Sequence, residues 1–256
     1  MFQTLAELLA WTPPKEPEII GSGVLPVKGK LVLAGEEGSF KTMFSLNAIF
    51  LISSGLSLLG LRTVPTRVGM LQVELSQASF QKRVRKFIEN HKSLSSQNPH
   101  FATEADIKLD KPTGIAKLAA EVQKLGIQLL IIDPLYKVFT GDVSNWGDMA
   151  RLLDNLDKLC WRYNCAVWLV HHKRKLRIVD NAPADYGTDE LVGSSALKDW
   201  ADSIIRFTVK GQDDILVEFL KTRTSEDIIQ AKLVHFNRAT LGFELVRRQE
   251  KEITVL

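Results

Sequence analysis

The fold is decided by one stretch of the chain, Lys30-Leu-Val-Leu-Ala34-Gly35-Glu36-Glu37-Gly38-Ser39-Phe40-Lys41-Thr42. It opens with a short apolar run, which predicts a buried parallel strand. A second apolar run, from Met43 to Ser53, follows the glycine-containing part and is long enough for a buried helix. Strand, glycine loop and helix in this order place backbone N–H groups where they hold phosphate. We therefore predict a site for a nucleoside triphosphate.

The loop at residues 35–42, called the phosphate loop below, nearly completes the pattern G-x-x-x-x-G-K-[ST]. This pattern assigns Lys41 to the terminal phosphates and the hydroxyl of Thr42 to Mg²⁺. Phe40 stands where the pattern has its second glycine. We expect this departure to narrow the loop, change its backbone angles or weaken nucleotide affinity, with Gly38 as an alternative source of flexibility.

Composition indicates an α/β protein with one large core. The chain has 256 residues, of which 45% are hydrophobic and 25% charged, and a chain of this kind can bury a large core. We predict a core domain over residues 18–248 and a short tail at residues 249–256. Residues 1–17 precede the core as an amphipathic helix, at about residues 3–10, and a stiff proline-rich linker. The helix packs on its own domain or on a neighbouring subunit, and the sequence does not separate the two.

The cysteine content, the N-terminus and the net charge indicate in which compartment the protein acts and which partners it has. Cys160 and Cys165 are the only cysteines, which favours a reducing compartment and a packing role over a disulfide or metal site. The N-terminus lacks the pattern of a secretory signal, and no stretch has the roughly 20 apolar residues of a membrane span. We expect a cytoplasmic protein that does not bind membranes. A formal charge of +3 is too small by itself to indicate a polyanionic partner.

Beyond the phosphate loop, strand-like apolar runs alternate with helical stretches, as in a mostly parallel sheet flanked by helices. The predicted strands and their following helices are 68–74 with 80–91, 127–133 with 146–163, and 166–171 with 194–201. After Asp202 the pattern changes to shorter strand-like runs at 203–209, 214–221 and 230–236. These predict an antiparallel C-terminal extension at one edge of the sheet.

Three predicted strands end in residues suited to phosphate chemistry. Asp133 closes a buried run, where its carboxylate would face the ligand crevice of an open α/β sheet and hold Mg²⁺. Glu74 ends its run in the same way and is our candidate for deprotonating the attacking water. His171 and His172 end the third run, but neighbours on a strand point to opposite faces, so at most one faces the phosphates. The ordinary alternative for these carboxylates is a turn or a solvated strand end.

A basic cluster follows the histidines directly and consists of Lys173, Arg174, Lys175 and Arg177. Such clusters are usually solvated loops. This one opens the polar segment at residues 173–191, which is long enough to reach a phosphodiester backbone, so we expect nucleic-acid contacts there.

In their order these motifs resemble the RecA-like ring ATPases, in particular the group of the plasmid RepA hexameric helicases and the DnaB-type replicative helicases. The resemblance covers about residues 20–240. It rests on the phosphate loop, Gln-Val-Glu74-Leu-Ser, Ile-Ile-Asp133-Pro-Leu, Leu-Val-His171-His172-Lys-Arg-Lys, Gly193-Ser-Ser-Ala-Leu197 before Asp199-Trp-Ala-Asp-Ser-Ile-Ile-Arg-Phe, and Lys221-Thr-Arg223. It implies that the nucleotide is ATP bound with Mg²⁺, that Asp133 supports the metal, and that Glu74 activates water. His171 or His172 would be a sensor linking the γ-phosphate to a DNA-facing loop.

The resemblance also implies a homo-oligomer, a ring such as a hexamer, whose active sites lie between subunits. Lys221 and Arg223 of one subunit would enter the site of its neighbour, where a guanidinium stabilises charge that develops on the transferred phosphoryl group. The alternative for Arg223 is an ordinary surface role on an edge strand. An open helical filament of the recombinase type, instead of a closed ring, is a third possibility.

Single-stranded DNA along the ring axis and replication-initiation proteins are the partners that the resemblance implies. The DNA contacts would come from loops after Asp133 and His172, through Lys137, Lys173, Arg174, Lys175 and Arg177. The aromatic residues of these loops, Tyr136, Phe139 and Tyr186, either stack on bases or fill a core.

Two functions from different classes fit the sequence. One is a DNA-dependent ring ATPase, a replicative helicase or replication-initiation motor of a plasmid, phage or mobile element. The other is a slow nucleotide-dependent switch that controls a protein partner. The basic cluster and the pair Lys221 and Arg223 favour the motor, whereas Phe40 in the phosphate loop slightly favours the switch.

Overall fold

A single large sheet forms the centre of the structure. The computed structural model describes residues 2–12, 18–94, 99–172, 178–179, 182–183 and 195–246. In chain order the strands are β1 (Glu18–Ile20), β2 (Leu25–Pro26), β3 (Lys30–Gly35), β4 (Val68–Gln72), β5 (Pro99–Thr103), β6 (Leu129–Asp133), β7 (Ala166–His172), β8 (Ile178–Val179), β9 (Ala182–Pro183), β10 (Ser203–Val209), β11 (Asp214–Thr222), β12 (Lys232–Asn237) and β13 (Gly242–Leu245).

Helices cover this sheet and connect its parallel strands. They are α1 (Leu5–Ala10), α2 (Lys41–Ser53), α3 (Gln77–Asn90), α4 (Pro112–Leu125), α5 (Trp146–Tyr163) and α6 (Ser195–Trp200), and a short 3-10 turn lies at Leu135–Val138. The α2 helix is buried almost all round, as expected for a helix without a polar face. By contrast, α5 buries one stripe at helical spacing and leaves its other face in solvent. Both cysteines are buried as free thiols near the end of α5 and the start of β7.

The sheet has nine strands in the order β13-β12-β11-β10-β3-β7-β6-β4-β5. From β10 to β5 the strands run parallel, whereas β11, β12 and β13 are antiparallel. This confirms the predicted mostly parallel sheet with an antiparallel C-terminal edge. Because the carboxyl ends of the parallel strands meet at one edge, residues that follow β3, β4, β6 and β7 are brought together there.

The central strand β3 joins two separate hydrophobic cores. Leu31 and Leu33 face the core beneath α2 and α3, while Val32 and Ala34 face the core beneath α4, α5 and α6. All four side chains are fully buried. The alternation follows from the period of two along a strand, and burial on both sides explains why the run is continuously apolar.

The sequence-based assignment lacks the short pairs β1–β2 and β8–β9 and three elements of the main fold, namely β5, α4 and β13. Strands β5 and β13 are edge strands that are half exposed, so they lack the apolar run of a central strand. The α4 helix buries Leu118 and Val122 at helical spacing, and this signal was present in the sequence. One boundary is also corrected, because β4 ends at Gln72 and Glu74 lies two residues beyond it.

The N-terminal helix α1 stands apart from the cores. None of its residues is buried, and its large apolar side chains, together with those flanking it, are exposed: Phe2, Leu5, Leu8, Leu9 and Trp11. Thr4 and Glu7 cap its first turn reciprocally. Residues 13–17, the predicted linker, and the tail at residues 249–256 lie outside the described residues. Within the described residues, no helix is both long and apolar enough to cross a bilayer.

Two leucine-to-alanine changes test the central role of β3. Leu33→Ala removes a fully buried side chain and should lower the free energy of unfolding by about 2–5 kcal/mol. Leu8→Ala removes an exposed one and should change it by less than about 0.5 kcal/mol. Urea unfolding of both variants measures the difference. Equal losses would contradict the burial pattern.

Candidate nucleotide site

The phosphate loop is closed tightly against the neighbouring strand β10. A Cβ atom on Gly35 would lie 2.7 Å from the carbonyl oxygen of Phe207 and 2.9 Å from the hydroxyl of Ser39, so only glycine fits. The Ser39 hydroxyl donates to the carbonyl of Glu36 at 2.7 Å. Gly38 has a φ of 79°, which glycine adopts without steric cost.

Phe40 occupies the left-handed conformation that its position in the pattern requires. Its φ is 64° and ψ is 16°, and it forms the N-cap of α2. For a residue with a side chain this conformation costs roughly 1–2 kcal/mol. The loop therefore keeps a glycine-like backbone without the glycine. The expectations that Phe40 narrows the loop, changes its backbone angles or weakens nucleotide affinity stay predictions.

The ammonium of Lys41 is folded back onto the phosphate loop itself. It donates to the carbonyls of Gly35 at 2.9 Å and Glu36 at 2.5 Å, and to the Ser39 hydroxyl at 3.1 Å. Burial lowers the pKa of Lys41 to about 8, against the opposing effect of the Asp133 and Glu74 carboxylates. The amine thus sits in a partly desolvated cradle of oxygens, where an anionic ligand would stabilise its charge.

Asp133 provides a candidate ligand for a metal ion. It ends β6 and is fully buried, and burial raises its pKa to about 6. The nearby Thr42 hydroxyl favours the ionised form, but among the described residues no hydrogen bond of ordinary geometry reaches either carboxylate oxygen. The side-chain amide nitrogen of Gln72, which pairs with Asp133 across the strands, is also buried without a hydrogen-bond partner among the described residues. Buried oxygen atoms without partners, beside a hydroxyl at a phosphate loop, suit Mg²⁺.

Glu74 lies at the exposed rim of the cleft above the phosphate loop. It lines this cleft, whose volume is about 500 Å³, together with the phosphate loop. The hydroxyl of Tyr136 donates to Glu74 Oε1 at 3.3 Å. Burial, followed by the Glu74 charge, raises the pKa of Tyr136. The first residues after β6 therefore contact the candidate base directly.

The two histidines face different environments, as the strand period predicts. They pair with Ala34 and Gly35 of β3. His172 lines the cleft, whereas His171 is buried, and burial lowers its pKa to about 4. Of the two, His172 is thus the one that faces the cleft.

Arg83 is a cleft residue that the sequence reasoning missed. It lies on α3, lines the same cleft as the phosphate loop and is close enough to Asp133 to favour its charged form. In sequence it stands in an ordinary amphipathic basic helix, among Lys82, Arg85 and Lys86. Only its position relative to the other elements distinguishes it from these solvated neighbours.

Lys221 and Arg223 lie toward the opposite end of the strands. Through β10, Lys221 is level with Val32 and Thr222 with Leu31, whereas the phosphate loop begins at Gly35, about 10–13 Å further along β3 by strand rise. Arg223 donates to the carbonyl of Asp199 at 2.7 Å and pairs with Asp202 at 3.3 Å. Lys221 donates to the carbonyl of Lys198 at 2.7 Å. Both side chains thus bond to residues around the end of α6, and neither lines the cleft at its own phosphate loop.

The predicted nucleic-acid contacts are only partly visible. Lys137 is exposed beside Tyr136, with its ammonium 5.4 Å from the ring centre. Phe139 is buried and fills a core, so the alternative of base stacking is wrong for this residue. The remaining residues lie outside the described part of the chain: Lys173, Arg174, Lys175, Arg177 and Tyr186. Within that segment the described backbone forms the short β8–β9 pair.

Comparisons with known proteins agree with this geometry. A family profile described as an AAA domain matches residues 1–177. The chain is similar to a solved structure described as an ATPase domain, with a TM-score of 0.66 and 12% identity over 94% of this chain and 95% of that one. It is also similar to a DnaB-like replicative helicase described with its primase interactions, with a TM-score of 0.62 and 12% identity over 84% of this chain and 57% of that one. No curated protein sequence matches. The two structural likenesses confirm the predicted RecA-like fold.

The buried histidine predicts an acid-sensitive fold. The pKa of His171 is lowered to about 4 in the folded state, against about 6.5 in an unfolded chain. The unfolded state therefore binds the proton first as the pH falls below 6.5, and stability is lost down to about pH 4. Between pH 7 and pH 5 this amounts to about 2 kcal/mol.

His171→Gln should remove most of that acid-dependent loss, measured as the difference between urea-unfolding free energies at the two pH values. His235→Gln, at an exposed position, is the matched control and should keep it. Identical pH dependence in wild type and His171→Gln would show that His171 does not titrate as its burial implies.

Proposed function

The chain belongs to the AAA_25 family of AAA-domain proteins, and from this premise we propose that it binds ATP with Mg²⁺ and hydrolyses it. The observation that carries the proposal is the pairing of a phosphate loop with a buried carboxylate. Lys41 lines the cleft and Asp133 is buried close to it, and burial disfavours the charge of both. An anion and a cation bound between them would restore both charges.

The residues of the phosphate loop would hold the triphosphate. The backbone N–H groups at the start of α2 point toward the loop, and the helix dipole favours negative charge there. The ammonium of Lys41 would exchange its contacts to loop oxygens for contacts to the terminal phosphates. This exchange replaces neutral acceptors by charged ones, which form stronger hydrogen bonds.

Thr42 and Asp133 would hold the metal ion from one side. Mg²⁺ prefers oxygen ligands and keeps several waters, so one hydroxyl, one carboxylate and the phosphates suffice. When bound, the ion would neutralise charge on the phosphate oxygens and orient the terminal phosphate.

Three residues that line the cleft would act on the reacting phosphoryl group. Glu74 would accept a proton from the attacking water, with Tyr136 bonded to its carboxylate. His172 would sense the terminal phosphate and pass its state to the segment that follows β7. Arg83 would add positive charge from α3.

We propose that the active protein is a homo-oligomer with shared sites. Arg223 and Lys221 lie toward the other end of the strands from their own phosphate loop, where one subunit could present them to the next. A guanidinium supplied across an interface makes hydrolysis depend on assembly. A contact that joins different surfaces of identical subunits builds a ring when the rotation closes.

Single-stranded DNA is the proposed substrate of the assembled protein. The protein would act as a replicative helicase or replication-initiation motor of a plasmid, phage or mobile element. Support comes from Lys137 beside the cleft, from the basic cluster after His172, and from the likeness to a DnaB-like replicative helicase. Replication-initiation proteins are the further partners to be expected. The alternative, a slow nucleotide-dependent switch, draws on Phe40, whose side chain stands where the phosphate-loop pattern has glycine.

Lys41→Ala tests the nucleotide site. The variant loses the only side-chain cation of the phosphate loop, so the ATP hydrolysis rate should fall by about 10²-fold or more. Lys117→Ala, an exposed lysine on α4, is the matched control and should keep the wild-type rate. The steady-state rate is measured with and without single-stranded DNA over a range of protein concentrations. Wild-type turnover in Lys41→Ala would overturn the site assignment. A rate indifferent to DNA and to concentration would favour the switch.

Mixing variants tests whether sites are shared. Arg223→Ala should still bind ATP, because its phosphate loop is intact. It should not hydrolyse ATP, because the neighbouring site lacks the guanidinium. In a 1:1 mixture with Lys41→Ala, about a quarter of the interfaces combine an intact loop with an intact arginine in a randomly mixed ring. The mixture should therefore regain about a quarter of the wild-type rate.

Arg151→Ala, an exposed arginine on α5, is the control for arginine loss and should be active alone. Mixed oligomers that show no recovery, or full activity of Arg223→Ala by itself, would exclude the interface role.

A further inference from the structure

The ring of Phe40 is held between two side chains of the antiparallel edge. Its centroid lies 4.6 Å from that of Phe236 on β12, and the guanidinium carbon of Arg238 lies 5.5 Å from the ring centroid. We call Phe40, Phe236 and Arg238 the aromatic clamp. The clamp joins the phosphate loop to a part of the sheet that is far away in sequence.

Both partners of Phe40 are themselves fixed. Asp213 accepts a hydrogen bond from Arg238 Nε at 2.7 Å, and Lys86 of α3 donates to the carbonyl of Arg238 at 2.9 Å. Phe236 is buried and packs on Phe243 with ring centroids 5.0 Å apart. Phe236 thus belongs to the core, whereas Arg238 is exposed and is held over the Phe40 ring by its contact with Asp213.

The turn that carries Arg238 is also attached to the helix that follows the phosphate loop. Asn237 accepts hydrogen bonds from the backbone N–H groups of Ala239 and Thr240. Asn47 of α2 donates to the carbonyl of Leu241 at 2.8 Å. The phosphate loop is thus held at Phe40 and, through α2, at Asn47 by the same β12–β13 turn.

A side chain in the left-handed conformation needs such an anchor. Glycine visits this region freely and also leaves it freely, whereas Phe40 stays there because its ring is packed. Its carbonyl accepts the first hydrogen bond of α2, from Phe44 N at 2.9 Å. Holding Phe40 therefore fixes both the last residue of the loop and the start of the helix.

We propose that Phe40 is a positioning residue that holds the phosphate loop in its nucleotide-binding shape, replacing the freedom of glycine by the restraint of the aromatic clamp. This inference rests on the proposed nucleotide site. A loop that is already ordered loses less conformational entropy when the phosphates bind. The phenylalanine then strengthens nucleotide binding, which is the opposite of what its departure from the glycine pattern suggests.

The test replaces Phe40 by the residue that the pattern calls for. Phe40→Gly should raise the Kd for ATP with Mg²⁺ by about fivefold to tenfold, because the loop gains the freedom of roughly one backbone residue. In steady-state hydrolysis the KM should rise with it, with a much smaller change in kcat. Phe40→Tyr, which keeps a ring between the same neighbours, should recover most of the affinity.

Two further variants separate the clamp from general packing. Arg238→Ala removes one side of the clamp and should also raise the Kd for ATP. In the Phe40→Gly background it should have little further effect on the Kd, because both substitutions remove the same contact and their effects do not add. Ser22 also has a positive φ, 60°, and lies at an exposed turn away from the cleft. Ser22→Gly therefore controls for the general effect of placing glycine at a left-handed position.

Hydrogen exchange tests the restraint without any nucleotide. In the free protein, the amides of residues 38–41 should exchange at least about fivefold faster in Phe40→Gly than in wild type. Unchanged exchange together with equal or tighter ATP binding in Phe40→Gly would overturn the inference while leaving the nucleotide site intact. Absence of ATP binding by the wild-type protein would instead overturn the proposed function, and the exchange measurement would still decide the role of Phe40.

Discussion

Burial of β3 on both faces and along both edges is the constraint from which the rest of the structure follows. The strand lies between β10 and β7 in the sheet and between two cores, so its residues meet no water from Leu31 to Ala34. The chain can leave it only at its end, where Gly35 lies against β10. The phosphate loop therefore begins directly at the end of a strand that is packed on both faces.

In the candidate nucleotide site, burial disfavours the charged forms of two ionisable side chains. Burial pushes the pKa of Lys41 down to about 8 and that of Asp133 up to about 6, so both groups lose part of their tendency to be charged near neutral pH. Groups held in such an environment cost stability in the free protein. The cost is typical of residues retained for a ligand.

Much of the fold was predictable because its signals are local. The strand at residues 30–34, the helix at residues 146–163 and the change of pattern after Asp202 all appear where apolar spacing places them. The edge strands β5 and β13 were not, because half-exposed strands carry no apolar run.

The candidate site was predictable only for residues that stand in a motif. The phosphate loop and Asp133 have sequence patterns of their own, and the structure places the buried Asp133 carboxylate close to Lys41 and Thr42. Arg83 has no such pattern, because the sequence of a basic helix does not indicate which of its cationic side chains lines the cleft. The choice between His171 and His172 likewise depended on which face of β7 lies over the phosphate loop.

The separation of Arg223 from its own phosphate loop determines how many complete sites the proposed oligomer would contain. In that proposal each copy of the chain carries two unlike half-sites at opposite ends of the sheet's strands, so copies that share sites assemble head to tail. An open row of n such copies contains n − 1 complete sites, and a closed ring contains n. Closure therefore adds one working site without adding a subunit, and the two terminal half-sites of an open row are joined only by completing the circle.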